Sequence, residues 1–165
     1  MYNLLDVSGQ TTHAMRENLM PRPHTFAGPA LTRTALLPAV VEAALCLSAA
    51  RVLLLAPYAV WSRTLGDGVT WHRADTSTKA AASRLVPRAI AVAAARMPVA
   101  MVCLPRAMAA HWMLRRRGVA SVLHLGIRHV PGNGHAVLHA WLTVDGETLL
   151  GGAGAEGFVT LRRYG

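Results

Sequence analysis

The periodicity of the chain changes at Gly118, and that change restricts the fold more than any other feature of the sequence. Before it, apolar residues recur at three- and four-residue steps, the spacing of a helix face. After it they alternate. Between Val119 and Val130, Leu123, Leu125 and Ile127 fall on one side and His124, Gly126 and Arg128 on the other, the period of a strand. Pro131-Gly132-Asn133-Gly134 reads as a loop and Val137 to Val144 as a second strand. Asp145-Gly146 is a strong two-residue hairpin signal. It returns the chain in a third strand, Glu147 to Gly151, and Phe158 to Leu161 reads as a fourth. Helices first and an antiparallel sheet after them predict an α+β fold.

The helical half divides at its prolines and glycines. Residues 1–30 hold Pro21, Pro23, Pro29, Gly9 and Gly28 and read as an irregular arm. From Leu31 to Leu65 the pattern is helical, with Thr34 as a capping candidate. Leu37, Val40, Val41, Ala44, Leu45 and Leu47 form the apolar stripe of a buried helix. Pro57 kinks or ends the second part of this segment. Residues 66–78 read as a polar linker, and 79–96 as another helix that Pro87 interrupts.

The last helix runs from Cys103 to Gly118. Pro105 suits its first turn, Arg115, Arg116 and Arg117 complement the dipole at its end, and Gly118 is a C′ stop. A cysteine at a helix N-terminus sits where the backbone favours a thiolate, one way to build a nucleophile. A buried cysteine acting as a small apolar residue is the alternative.

The totals exclude several classes. At 165 residues and 53% hydrophobic, the chain has enough apolar surface for a core and is not a disordered tail. Its two cysteines, Cys46 and Cys103, do not make a disulfide framework, and a reducing cytoplasm is the default. Asp6, Arg16 and Glu17 interrupt any signal-peptide pattern, and charges break the apolar region after Leu36, so no transmembrane segment is predicted. Net charge is +9, and of 17 basic residues only Lys79 is not an arginine. Such a surface suits acidic peptide, anionic lipid or nucleic acid, although no nucleic-acid recognition motif is present.

His139 lies in the second strand, after the cysteine helix. A thiol at a helix start and a histidine on a later strand is a layout in which the imidazole takes the thiol proton. Cys103-Leu104-Pro105-Arg106, the run Trp112-Met113-Leu114-Arg115-Arg116-Arg117-Gly118-Val119, and His139-Ala140-Trp141-Leu142-Thr143-Val144-Asp145-Gly146 together resemble the leader peptidases of lasso-peptide biosynthesis. These are stand-alone members of the transglutaminase-like, papain-related superfamily. Ala50 to Gly66 is similar to that family's helical preamble, and the resemblance spans about residues 35–163.

The resemblance implies an N-terminal helical segment followed by a transglutaminase-like core, with the cysteine helix packed on an antiparallel sheet. Residues 31–97 then form one compact unit with the catalytic core, 98–165. It implies a cysteine peptidase that removes the leader from a ribosomal precursor peptide, without a cofactor. A leader-binding protein in trans and a separate ATP-dependent cyclase are the implied partners. Cys103 becomes the nucleophile and His139 the general base. The family often places an aspartate twelve residues after the histidine, where this chain has Gly151. Asp145 sits too far along the strand, in the turn; Glu156, a backbone carbonyl or a water remain as the group that orients His139. Arg106 is a candidate for holding substrate carboxylates or else an ordinary ion pair, and Trp141 covers the pair or is core. Arg115, Arg116 and Arg117 read as a solvated helix end. His111, His124, His129 and His135 have no metal-ligand spacing with either cysteine. A transglutaminase or amidase using the same pair, and a basic binding module without chemistry, are the alternatives.

Overall fold

A computed structural model describes residues 32–66, 74–129, 136–152 and 155–165; the predicted arm at 1–30 and the predicted loop at 131–134 lie outside them. Among the described residues, four α-helices and four strands follow in order. Helix α1 spans Arg33–Leu53, the short α2 Tyr58–Trp61 with a 3-10 turn at Ser62–Leu65, α3 Thr76–Arg96 and α4 Cys103–Arg116. The strands are β1 Val122–His129, β2 Ala136–Val144, β3 Glu147–Leu150 and β4 Val159–Tyr164. They form one antiparallel sheet in the order β3-β2-β1-β4. The α+β class predicted from the period change is the class observed.

Several boundaries differ from the pattern reading. Helix α3 starts inside the expected linker because Asp75 caps it, its carboxylate accepting from the backbone N–H of Ser77 at 3.2 Å and of Thr78 at 3.4 Å. Pro87 does not interrupt α3, and α1 runs through Pro38. Packing of Ala82, Val86, Ala89 and Ile90 into the core holds α3 together across the missing N–H. Thr34 is not the cap of α1. Thr32 occupies that position, with no side-chain capping bond.

The core lies between the helices and one face of the sheet. Leu123, Ala140, Leu142 and Val144 come from the sheet; Ala107, Met108, Ala110 and Leu114 face them from α4. Helix α1 packs on α3 and α4 through Ala39, Ala43, Leu47 and Ala50, all at most 3% exposed. The expected stripe is therefore only partly inward: Leu47 is buried and Val40 and Ala44 pack against the core. Small residues fill the close helix–helix contact, and Leu37, Val41 and Leu45 point outward.

The end of α4 is as its sequence reads. Gly118 takes φ +69°, and the N–H groups of Gly118 and Val119 donate to the carbonyls of Arg115 and Leu114, each at 3.0 Å, a Schellman stop. The arginine run before it is not simply a solvated end. Arg117 donates to both carboxylate oxygens of Glu42 on α1, at 3.1 and 2.5 Å, and Arg116 lies 3.6 Å from the same group.

Candidate active site

Three local devices bring the cysteine and the histidine to one place. The first is the start of α4. Its N-cap residue, Val102, has no side-chain oxygen to offer, so no side chain caps the first N–H groups of the helix. Cys103 is half-buried in that turn, and Pro105, two residues on, is fully buried.

The second device is the register of the sheet. In the β1–β2 pair His124 faces Trp141 and Gly126 faces His139. Alternation sends His139 and Trp141 to the outer face of the sheet and Ala140 to the core. Strand β3 pairs only with Leu142–Val144, so the edge of β2 beside His139 carries no partner strand. His139 borders a cavity of about 330 Å³ at that edge together with Cys103, Arg106, Ala140 and Gly151. Ile90 of α3 and Met101 form its apolar wall.

The third device is the end of β3. The pairing slips between Leu142 and Thr143, and the chain then turns at Gly151 with φ +79°. A Cβ at Gly151 would stand 2.9 Å from the Ala140 carbonyl oxygen and 3.1 Å from Trp141 Cβ, so only glycine fits. This turn delivers the Gly151 carbonyl to His139, whose Nε2 lies 2.8 Å from it. A carbonyl oxygen only accepts, so Nε2 carries the proton and, in the neutral ring, Nδ1 is bare.

Of the candidates for orienting His139, it is a backbone carbonyl, that of Gly151, that hydrogen-bonds the ring. Glu156 is exposed in the turn at 155–157, and no hydrogen bond joins it to His139. Asp145 is paired with Lys79 at the hairpin tip. Trp141 does not line the cavity. It stacks on His124 at 5.1 Å, lies 6.1 Å from the His139 ring, and is 8% exposed, which makes it a wall behind the histidine rather than a substrate contact. Phe158, at 5.2 Å, flanks His139 on another side. Pattern reading passes over Gly126. A Cβ there would come within 2.7 and 2.9 Å of the Trp141 ring, so the glycine makes room for that wall. Its position opposite His139 in the strand pairing was the available signal.

Cys103 and His139 share the cavity without a hydrogen bond between them. Arg106 is exposed at the rim and forms no ion pair with any described residue. Cys46 lies elsewhere, half-buried in α1. Burial, and then Glu42, push its thiol pKa above the ordinary value. Among the described residues no group of three His, Cys, Asp or Glu side chains is placed to hold a metal ion.

The chain matches no curated protein and no solved structure. A family model described as the transglutaminase-like superfamily matches residues 43–163, which takes in α1 from Ala43 onward, all of α3 and α4 and nearly all of the sheet. On the strength of that match, over well more than half its length, the chain belongs to the transglutaminase-like superfamily.

Proposed function

We propose that this protein is a cysteine peptidase that removes the leader from a ribosomally made lasso-peptide precursor. The observation that carries the chemistry is one cavity bordered by a helix-start cysteine and by a histidine whose Nε2 is anchored to a backbone carbonyl. Superfamily membership supports the reaction class. The Cys-Leu-Pro-Arg, Leu-Arg-Arg-Arg-Gly and His-Ala-Trp blocks support the narrower substrate.

In this reading Nδ1 of His139 takes the Cys103 proton and the thiolate attacks the scissile carbonyl carbon. The backbone N–H of Cys103, left without a side-chain cap, is placed to donate to the developing oxyanion. Imidazolium returns the proton to the leaving nitrogen. The C–N bond breaks, leaving a thioester on Cys103 and the core peptide with a free amine. His139 then deprotonates a water that hydrolyses the thioester, releasing the leader with a C-terminal carboxylate. Precursor binding must draw Cys103 and His139 together, as free enzymes often hold such bonds long or unmade. Arg106 at the rim would hold a precursor carboxylate. A leader-binding protein acting in trans presents the precursor, and a separate ATP-dependent cyclase closes the ring afterwards, all in the cytoplasm.

The test uses the purified chain with a lasso-precursor peptide, with and without a leader-binding protein, both to be sought among the genes flanking its own. Mass spectrometry should show leader release by the native chain and none by Cys103→Ala or His139→Ala, whose circular dichroism stays unchanged. Cleavage retained by Cys103→Ala overturns the proposal. The absent Cys103–His139 bond and the glycine at 151 favour one second reading, a non-catalytic peptide-binding module. That module would bind the precursor and release nothing.

A further inference from the structure

Helix α1 is apolar on both sides. Its inner side is the Ala39, Ala43, Leu47 and Ala50 contact; its outer side carries Leu37, Val41, Leu45 and Val52 at 68, 61, 67 and 67% exposed. Leu55, at 86%, and then Tyr58 and Val60 continue the surface beyond the helix end. Steps of four, four, seven and three residues keep the large side chains on one stripe. A surface with that many large exposed side chains in a row marks a contact site.

The charges around the stripe are of one sign. Across residues 32–66 the exposed ionic side chains are Arg33, Arg51 and Arg63. The single acid of that segment, Glu42, is turned inward onto Arg117 and Arg116. Length and a mean hydropathy of 1.8 would by themselves permit α1 to cross a membrane. Crossing would strip its inner side from α3 and α4 and carry Glu42 into hydrocarbon, a costly place for a carboxylate. Lying flat requires neither.

We propose that the outer face of α1, with the turn that follows it, rests on an anionic lipid bilayer. Leu37, Val41, Leu45, Val52 and Leu55 enter the boundary between headgroups and acyl chains, and Arg33, Arg51 and Arg63 meet the lipid phosphates. The bilayer fits better than an apolar partner protein, because the exposed ionic side chains of residues 32–66 are all cations and the whole chain is basic at +9.

The test is sedimentation of the full chain with phosphatidylcholine vesicles and with mixed phosphatidylcholine–phosphatidylglycerol vesicles. Three arginines at an anionic surface should raise partitioning into the mixed vesicles by about a hundredfold. Arg51→Glu should reduce that ratio, and Val41→Glu with Leu45→Glu should abolish binding to both. Positions 41 and 45 face solvent, so the melting temperature should stay unchanged and confirm that the double variant folds. Equal binding to the two vesicle types overturns the proposal, as does no binding. A dimer in light scattering that Val41→Glu with Leu45→Glu dissociates, with no vesicle binding, also overturns it and makes the face a contact between two copies.

Discussion

Arg106 is a cation at the mouth of the cysteine cavity, and every described acid that forms an ion pair or cap is engaged elsewhere: Glu42 with Arg117, Asp145 with Lys79, Asp75 with the start of α3. Its nearest use is on a carboxylate that enters the cavity. Iodoacetate and iodoacetamide are small probes that differ by that charge, and the sequence supplies its own control in Cys46, whose thiol burial makes less ionised. Cys103 should prefer iodoacetate relative to Cys46, and Arg106→Gln should cut that preference about fivefold, the value of one charge contact near 1 kcal/mol. Peptide mapping after brief alkylation reads both rates, and an unchanged ratio in Arg106→Gln removes Arg106 from the site. His111 makes a second prediction. It is buried, with Nε2 donating to the Leu65 carbonyl and Nδ1 accepting from the Ser121 hydroxyl, each at 2.9 Å. Burial lowers its pKa from 6.5; the Leu65 bond opposes the shift and Arg115 adds to it. The unfolded chain thus binds a proton first as pH falls through 6.5, so stability is full above that pH and drains below it. His124, lowered by burial and then by Arg163, acts in the same direction. The urea midpoint should fall between about pH 7.5 and about pH 5, and His111→Gln should flatten the fall. Parallel curves for the two proteins would assign the slope elsewhere.

Strand β2 works through both of its faces, one sealing the core with Ala140, Leu142 and Val144, the other holding His139 against Trp141. That outer arrangement depends on Gly126 across the pair. Gly126→Ala should displace the indole, cost about 1–3 kcal/mol of stability as overpacking does, and lower turnover in the proposed peptidase reaction beyond what the stability loss explains. Thermal melts beside turnover at a temperature where the variant is fully folded separate the two effects. Full turnover there would show that Trp141 does not position His139. Much of the sheet was legible in the sequence, because a strand period survives wherever one face is buried. Leu123, Leu125 and Ile127 showed the period, and Asp145-Gly146, with φ +51° and +83°, fixed the hairpin. The helix phase of α1 was half legible: Leu47, Val40 and Ala44 of the expected stripe face the core, whereas Leu37, Val41 and Leu45 are exposed. Pattern reading assigns the largest apolar residues to the core, whereas tight packing on α3 and α4 selects alanines. A backbone carbonyl was among the partners open to His139, but which one was not legible, since a carbonyl brought round by a slipped register and a positive-φ glycine has no side chain to betray it.

The helical segment before Gly66 is tied to the rest of the molecule by polar contacts as well as by its alanines. The Leu65 carbonyl accepts from His111, the Thr64 carbonyl accepts from Trp112 Nε1 at 3.2 Å, and the Tyr58 and Tyr164 hydroxyls hydrogen-bond to each other. The clasp between Glu42 and Arg117 sits at the opposite end of α4 from Cys103. Exposed ion pairs contribute little. Here the side chains are only 18% and 25% exposed and the guanidinium fork meets both carboxylate oxygens, so the bond is worth more than a surface pair. Neutralising Glu42 leaves the half-desolvated Arg117 guanidinium with uncharged acceptors alone, one amide oxygen and the Met113 carbonyl at 2.8 Å. Glu42→Gln should therefore lower stability by about 1.5–3 kcal/mol, the range for hydrogen bonds to charged groups. Arg117→Lys should recover part of it, since an ammonium supplies the charge but not the fork. Both values come from urea melts followed at once by tryptophan fluorescence and far-ultraviolet circular dichroism. If the helical layer and the sheet fold as one body, the two signals shift together in Glu42→Gln. A fluorescence transition that moves alone, led by Trp61 of α2 and by Trp112, which joins α4 to the 3-10 turn, would mean that the clasp holds a separately melting layer.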